Sequence, residues 1–186
     1  MAIEAGDFKT GLTVMVDGDP WVVIDFMHVK PGKGAAILKT KMKNLKTGAT
    51  LERNFNASTK FDAATIEKRR ATFSYASDGT YYFMDQESYD TYELSEEQLD
   101  FKKYFILDSM EVMLVFFEGN VLDISLPDKV EVTLVECENA VKGDTATNAL
   151  KNAVTETGLK VKVPMFIENG EKIIVSTADG KYTGRA

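Results

Sequence analysis

Cysteine, histidine and tryptophan each occur once in the 186 residues, and each scarcity excludes something. The single thiol, Cys137, excludes an intramolecular disulfide and a thiolate metal cluster. It lies in Val130–Cys137, an alternating apolar and polar run that reads as a strand, so a packed thiol is expected rather than a reactive one. The single imidazole, His28, excludes histidine pairs and histidine-rich metal sites. With a single histidine and a single cysteine far apart in the chain, no nucleophile–base set is legible. The chain is not expected to be an enzyme or to hold a metal or other cofactor. No apolar run reaches the ~20 residues of a membrane span. Met1-Ala-Ile-Glu-Ala-Gly-Asp has neither a basic nor an apolar leader segment, so a cytoplasmic protein without membrane association is expected.

Acid is missing where base collects. From Phe26 to Leu51 there is no Asp or Glu, yet six lysines occur: Lys30, Lys33, Lys39, Lys41, Lys43 and Lys46. The net charge of −7 is therefore unevenly spread. Residues 1–64 carry 9 Lys/Arg against 7 Asp/Glu, residues 65–128 carry 5 against 14, and residues 129–186 carry 8 against 8. A polarised molecule of this kind presents a basic end to phosphates while its acidic flank resists non-specific adhesion.

Proline is also scarce, and one of the four opens the most informative stretch, Val29-Lys30-Pro31-Gly32-Lys33-Gly34-Ala35. It separates two strand-like runs, Trp21 to His28 and Ala35 to Lys43. Pro31 presets φ for the first corner of a turn, and Gly32 is expected to take the positive φ of a type II turn. Gly34 frees the exit, leaving Lys33 at the apex with no side chain on either neighbour. This is not a nucleotide-binding loop, which needs an earlier glycine, a Ser or Thr after the lysine, and a helix. Period-two alternation on the exit strand places Lys39, Lys41 and Lys43 on one face and Leu38 and Met42 on the other. Lys30, Lys39, Lys41 and Lys43 are thus candidate phosphate ligands around Lys33.

The remaining chain reads as short strands separated by turns. Leu12–Val16, Trp21–His28 and Thr50–Phe55 complete a first β unit over residues 1–64, with Trp21, Val23, Ile24 and Phe26 as expected core. Residues 65–128 form a second unit. In it Ala71–Ala76 and Thr80–Met84 flank Ser77-Asp78-Gly79, a hairpin signal, with aromatics Phe73, Tyr75, Tyr81 and Phe83 expected mainly as core. Ser95-Glu96-Glu97-Gln98 has capping-box spacing and opens one short helix. Glu111–Phe117 and Val121–Leu126 make another hairpin. After Pro127-Asp128, residues 129–186 form a third unit, with strands at Val130–Cys137, Gly158–Ile167, Lys172–Ser176 and Lys181–Gly184. Strands this short with little helix imply small barrels.

The run Phe26-x-His28-Val29-Lys30-Pro31-Gly32-Lys33-Gly34-Ala35-Ala36, with Asn44-Leu45-x-Thr47-Gly48 behind it, resembles the first domain of bacterial translation elongation factor P. Lys142-Gly143-Asp144-Thr145-Ala146 is similar to a loop of the family's third domain. Lys151-x-Ala153-x4-Gly158-x2-Val161-x-Val163-Pro164 and the ending Gly180-Lys181-Tyr182-x-Gly184-Arg185-Ala186 are similar to its last strands. These motifs, in order at matching spacings, extend the resemblance over essentially the whole chain. One departure stands out: Ala149-Leu150-Lys151 has helix-forming character where the family usually has glycines and a Lys-Pro-Ala step.

The resemblance implies an all-β fold of three small barrels in an L-shaped, tRNA-like arrangement: an SH3-like or KOW-like first domain and two OB-fold-like domains. It implies a monomer that binds the ribosome between the peptidyl and exit sites and relieves stalling at consecutive prolines. It implies partners in the P-site peptidyl-tRNA, the mRNA in the E site, and an enzyme that covalently modifies Lys33. Pro31, Gly32 and Gly34 would shape the tip, and Gly143, Asp144 and Thr145 would read the exit-site codon. Tyr182 and Arg185 would meet small-subunit RNA or protein. An elongation-factor-P-like paralogue, which generally lacks the PGKG tip, or another RNA-binding β-barrel protein of the translation machinery is the alternative.

Overall fold

In the computed structural model the described residues are 1–139 and 149–186. Gly143, Asp144 and Thr145 lie outside them.

The first unit has six strands: β1 (Ala2–Glu4), β2 (Thr13–Val16), β3 (Asp19–Val29), β4 (Ile37–Asn44), β5 (Thr50–Asn56) and β6 (Lys60–Asp62). Strands β2 to β5 form an antiparallel meander, and β1 pairs with β6. Asp17 and Gly18 both take positive φ, 52° and 84°, which gives the β2–β3 hairpin the turn that matches strand twist. Phe8, Val14, Trp21, Val23, Leu38 and Met42 form the core, and Phe55 and Phe61 close it edge to face at 4.9 Å. The expected alternation on β4 holds: Leu38, Thr40 and Met42 are buried, and Lys39 and Lys41 are exposed. On β3 it breaks. The register with β4 shifts between Val23 and Asp25, which brings Phe26 to the inner face with Val23, while Ile24, expected in the core, alternates outward from Val23 and is 39% exposed. One extra residue in a strand moves its neighbour to the other face.

The second unit comprises β7 (Ile66–Ser77), β8 (Thr80–Asp85), β9 (Thr91–Ser95), the helix α1 (Glu96–Leu99) with a following 3-10 turn (Asp100–Phe105), β10 (Glu111–Phe117) and β11 (Asn120–Ser125). The sheet order is β11-β10-β7-β8-β9. Asp78 and Gly79 make the β7–β8 turn at φ 50° and 75°. The capping box is present. The Ser95 hydroxyl accepts from the Gln98 amide at 3.1 Å, and the Gln98 side chain accepts from the Ser95 amide at 2.9 Å. Of the aromatics assigned to the core, Phe73 and Phe83 are buried, Tyr81 packs at its edge, and Tyr75 is exposed.

The third unit contains β12 (Lys129–Cys137), β13 (Leu150–Thr155), β14 (Lys160–Pro164), β15 (Lys172–Ser176) and β16 (Tyr182–Arg185), in the order β14-β13-β12-β15-β16. Counting strands within each unit, the second and third share one order: third, second, first, fourth, fifth. That common topology has no counterpart as a repeat in sequence. The helix-forming Ala149-Leu150-Lys151 does not set the structure: Leu150 and Lys151 belong to β13 and pair with Pro164 and Val163. Ladder hydrogen bonds and the burial of Lys151 and Ala153 override local propensity. The Cys137 thiol packs against this core and donates to the Ile167 carbonyl at 3.6 Å.

The units share interior. Leu45 of the first packs with Phe117 and Leu122 of the second. Phe105, from the 3-10 turn of the second unit, is fully buried in the core of the third. Thr177 of the third donates through its amide to the Asp128 carbonyl at 2.9 Å and through its hydroxyl to the Pro127 carbonyl at 2.6 Å.

Candidate nucleic-acid interface

Strands β3 and β4 stay paired up to Val29 opposite Ile37, so residues 30–36 form a loop beyond the last ladder pair. Lys30, Pro31, Gly32, Lys33 and Gly34 are all exposed. Gly34, and not Gly32, takes the positive φ, at 116°, so the loop is not the type II turn expected at Pro31-Gly32. The seven-residue span between ladder ends leaves room for a wider loop, in which Pro31 Cγ lies 4.0 Å from where a Gly34 Cβ would be. A Cβ added at Gly32 would meet nothing within 4 Å. Glycine at position 32 therefore satisfies no internal packing need and leaves the apex thin for an approaching partner.

The cross-strand register decides what surrounds each lysine. Lys39 lies between Met27 and Asn54, whereas Lys41 lies between Asp25 and Glu52. Directly opposed side chains start about 5 Å apart, so two carboxylates offset the charge of Lys41. Lys43 is half-buried and turns toward the second unit, where its Nζ donates to the Gln98 carbonyl at 3.5 Å. Among the described residues no ion pair engages Lys30, Lys33, Lys39, Lys41 or Lys43, so the offset at Lys41 is the proximity of Asp25 and Glu52 across the register. Uncompensated positive charge thus increases along the hairpin toward its tip.

Asp25, Met27, Lys39, Lys41, Glu52 and Asn54 line a shallow concavity of about 520 Å³ on the outer face of the sheet. Asp25, Met27, Glu52 and Asn54 are absent from the sequence reading of the site. The signal was present: Asp25 and Glu52 immediately bracket the acid-free stretch, and hairpin pairing brings its two ends together. His28 is exposed, with its ring edge-on to Phe26 at 5.7 Å.

The C-terminal residues form a separate group. Tyr182 is half-buried against the third core. Arg185 is held by Glu171, with Nη2 to Oε2 at 2.7 Å, and lies over the exposed Phe166 ring at 5.4 Å. The Arg185 hydrogen bond, with the Glu168 amide, holds the Glu171 carboxyl below its usual range.

A KOW-like barrel carrying a basic hairpin, followed by two OB-like barrels, defines a modular β protein built from binding folds. Three family descriptions match it in order: "Elongation factor P (EF-P) KOW-like domain" over residues 4–61, "Elongation factor P (EF-P) OB domain" over 66–124, and "Elongation factor P, C-terminal" over 130–185. The chain belongs to the elongation factor P family, a family of translation factors. Among solved structures it resembles "Eukaryotic translation initiation factor 5A from Methanococcus jannaschii". The identity is 24% and the TM-score 0.51, covering 67% of this chain and 92% of that one. A "Translation initiation factor eif-5a family protein from Naegleria fowleri ATCC 30863" matches at 17% identity and TM-score 0.44, covering 68% of this chain and 98% of that one. The first likeness bears on the fold, and about a third of this chain lies outside it. Among the described residues no helix is long and apolar enough to cross a membrane.

Proposed function

We propose that this protein binds the ribosome between the peptidyl and exit sites and promotes peptide-bond formation where synthesis stalls at consecutive prolines. Lys33, extended covalently by a dedicated modifying enzyme, reaches toward the acceptor end of the peptidyl-tRNA. The ribosome supplies the catalytic centre, and proline is a constrained, poor substrate. A tip that restricts the peptidyl-tRNA to reactive geometry contributes through orientation, up to several kcal/mol. The observation that carries this reading is the apex itself. Lys33 stands exposed between two glycines beyond the last ladder pair, its amine roughly 6 Å from its Cα by bond lengths.

Lys30 and Lys39 hold RNA phosphates, and Lys41 does so more weakly because Asp25 and Glu52 flank it. Lys43 sits where the hairpin meets the second unit. The acidic second unit stands in for a phosphate backbone within an L-shaped, tRNA-like whole. Gly143, Asp144 and Thr145 read the exit-site codon, with the Asp144 carboxylate accepting from base amino groups. Tyr182 and Arg185 face the small subunit. The protein acts as a cytoplasmic monomer.

The test is translation of a reporter with consecutive prolines in a reconstituted system lacking this factor, comparing natively modified wild type with Lys33→Ala. Relief of the stall by wild type and its loss in the variant is expected, and intact mass of the native protein sizes the extension on Lys33. Equal proline-specific yield with wild type, variant and no factor would overturn the proposal.

A further inference from the structure

The outer surface of the second barrel presents a pair of tyrosines that its core does not use. Phe73 of β7 opposes Phe83 of β8 inside the barrel; the register then shifts, and Tyr75 comes to lie opposite Tyr82 on the outside. The two rings stack with centroids 4.4 Å apart and planes 17° from parallel, and Tyr75 is 56% exposed. Two residues beyond Tyr82 on the same face of β8, Met84 is also exposed. Glu93 of β9 is directly opposite Tyr82, and Asp78 occupies the adjoining turn. Burial raises the Tyr82 hydroxyl pKa, and the nearby Glu93, Tyr75 and Asp78 raise it further, which marks the locale as one that disfavours another negative charge.

In OB barrels the face of the second and third strands, here β8 and β9, is a common seat for oligonucleotides, whose bases stack on aromatic rings. At this face a phosphate backbone meets Glu93 and Asp78 within a segment of net charge −9 (5 Lys/Arg against 14 Asp/Glu over residues 65–128). A planar cation has the opposite fit. It stacks on tyrosine through the ring quadrupole and pairs with a carboxylate through its fork of N–H donors.

The molecule already uses that combination three times. Arg53 lies 5.9 Å over the Phe55 ring while pairing with Asp17 at 3.0 Å. Arg69 lies 4.5 Å over the Phe116 ring while pairing with Glu67 at 2.7 Å. Arg185 lies 5.4 Å over Phe166 while pairing with Glu171. Tyr75, Tyr82 and Glu93 repeat the aromatic and carboxylate parts, and among the described residues no cation of this chain lies over either tyrosine.

We propose that Tyr75, Tyr82 and Glu93 form a docking site for an arginine-bearing segment of a basic protein. The guanidinium stacks on the face of Tyr82 that Tyr75 leaves free and pairs with Glu93 directly opposite, the stacked Tyr75 holds the Tyr82 ring in place, and Met84 supplies an adaptable apolar contact alongside.

The test is titration of the isotope-labelled full chain, followed by amide shifts. The probes are a short peptide of alternating arginine and glycine, its lysine counterpart, and a short oligouridylate. The expected result is saturable shifts centred on Tyr75, Tyr82 and Glu93 with the arginine peptide, and several-fold weaker binding of the lysine peptide. Tyr75→Leu weakens the arginine peptide about fivefold, and Tyr75→Phe, which keeps the ring, preserves it. Tyr75 is exposed, so both variants are expected to melt as wild type does, which is checked in parallel. Equal binding of the arginine and lysine peptides, with shifts spread over the acidic surface, would show unspecific charge attraction and overturn the proposal. So would unchanged affinity in Tyr75→Leu. Shifts at the same residues with the oligouridylate and not with the peptide would assign the face to nucleic acid instead.

Discussion

Phe105 belongs by sequence to the second unit and by packing to the third, and truncating it tests whether those two units are energetically one. The side chain is fully buried among Val130, Val132, Leu134 and their neighbours, with Phe101 edge-on at 5.2 Å. The preceding residue is tied down as well, since the Tyr104 carbonyl accepts from the Thr157 hydroxyl. Removing a phenyl ring of about 150–250 Å² at about 25 cal/mol per Å² gives an upper figure near 4–6 kcal/mol. Phe→Ala substitutions in cores typically lose about 3–5 kcal/mol. Phe105→Ala is therefore expected to remove about 3–5 kcal/mol, a large share of the roughly 5–15 kcal/mol typical of a folded domain. Native-state hydrogen exchange read strand by strand separates the alternatives. Joint loss of protection in β12, β15 and the segment from α1 to Phe105 is the expected outcome. The shared-core argument fails if the loss is below about 1 kcal/mol, or if it stays within β7–β11 while the third unit keeps its protection.

Gly180 sits at the same junction with φ of 71°, and a Cβ there would fall 2.8 Å from Phe101 Cζ and 3.3 Å from Leu159 Cδ1. Gly180→Ala is expected to lower stability by at least the about 1–2 kcal/mol of a left-handed non-glycine residue, measured by denaturant unfolding; no change would mean the ring and backbone relax freely. Asp85, buried, accepts hydrogen bonds from the Glu87 and Ser88 amides at 2.8 and 3.1 Å, and with the nearby Arg69 these hold its carboxyl below the usual value. A depressed folded-state pKa adds stability that is present above about pH 4 and is lost as pH falls through the folded value. Melting temperature should drop less between neutral pH and about pH 3 in Asp85→Asn than in wild type, and parallel curves would refute that assignment. In the proposed binding to the ribosome, Lys39→Gln is expected to lower the slope of log affinity on log salt by about 0.7–0.9. Lys41→Gln should lower it less because Asp25 and Glu52 already offset its charge, and Lys43→Gln least. Equal slopes for the three variants would contradict the charge gradient along the hairpin.

Local chemistry made much of this protein legible. The Asp-Gly turns, the capping box and the β4 alternation each depend on neighbouring residues alone: positive φ, a side chain reaching three residues on, a two-residue period; the turn expected at Pro31-Gly32 did not form, since the positive φ fell at Gly34. Long-range pairing decided the rest. The bulge at Val23–Asp25 turned Phe26 back to the core, because register is a property of two strands. The same register set Asp25 and Glu52 beside Lys41, converting an apparently uniform row of lysines into a gradient. Ladder pairing with β14 made a strand of Leu150 and Lys151 against their helical preference. Phe105 crossed into the third core because burial follows space and not chain position. The shared strand order of the second and third units was likewise invisible in residues, since many sequences satisfy one topology while a single register shift moves every side chain to the other face.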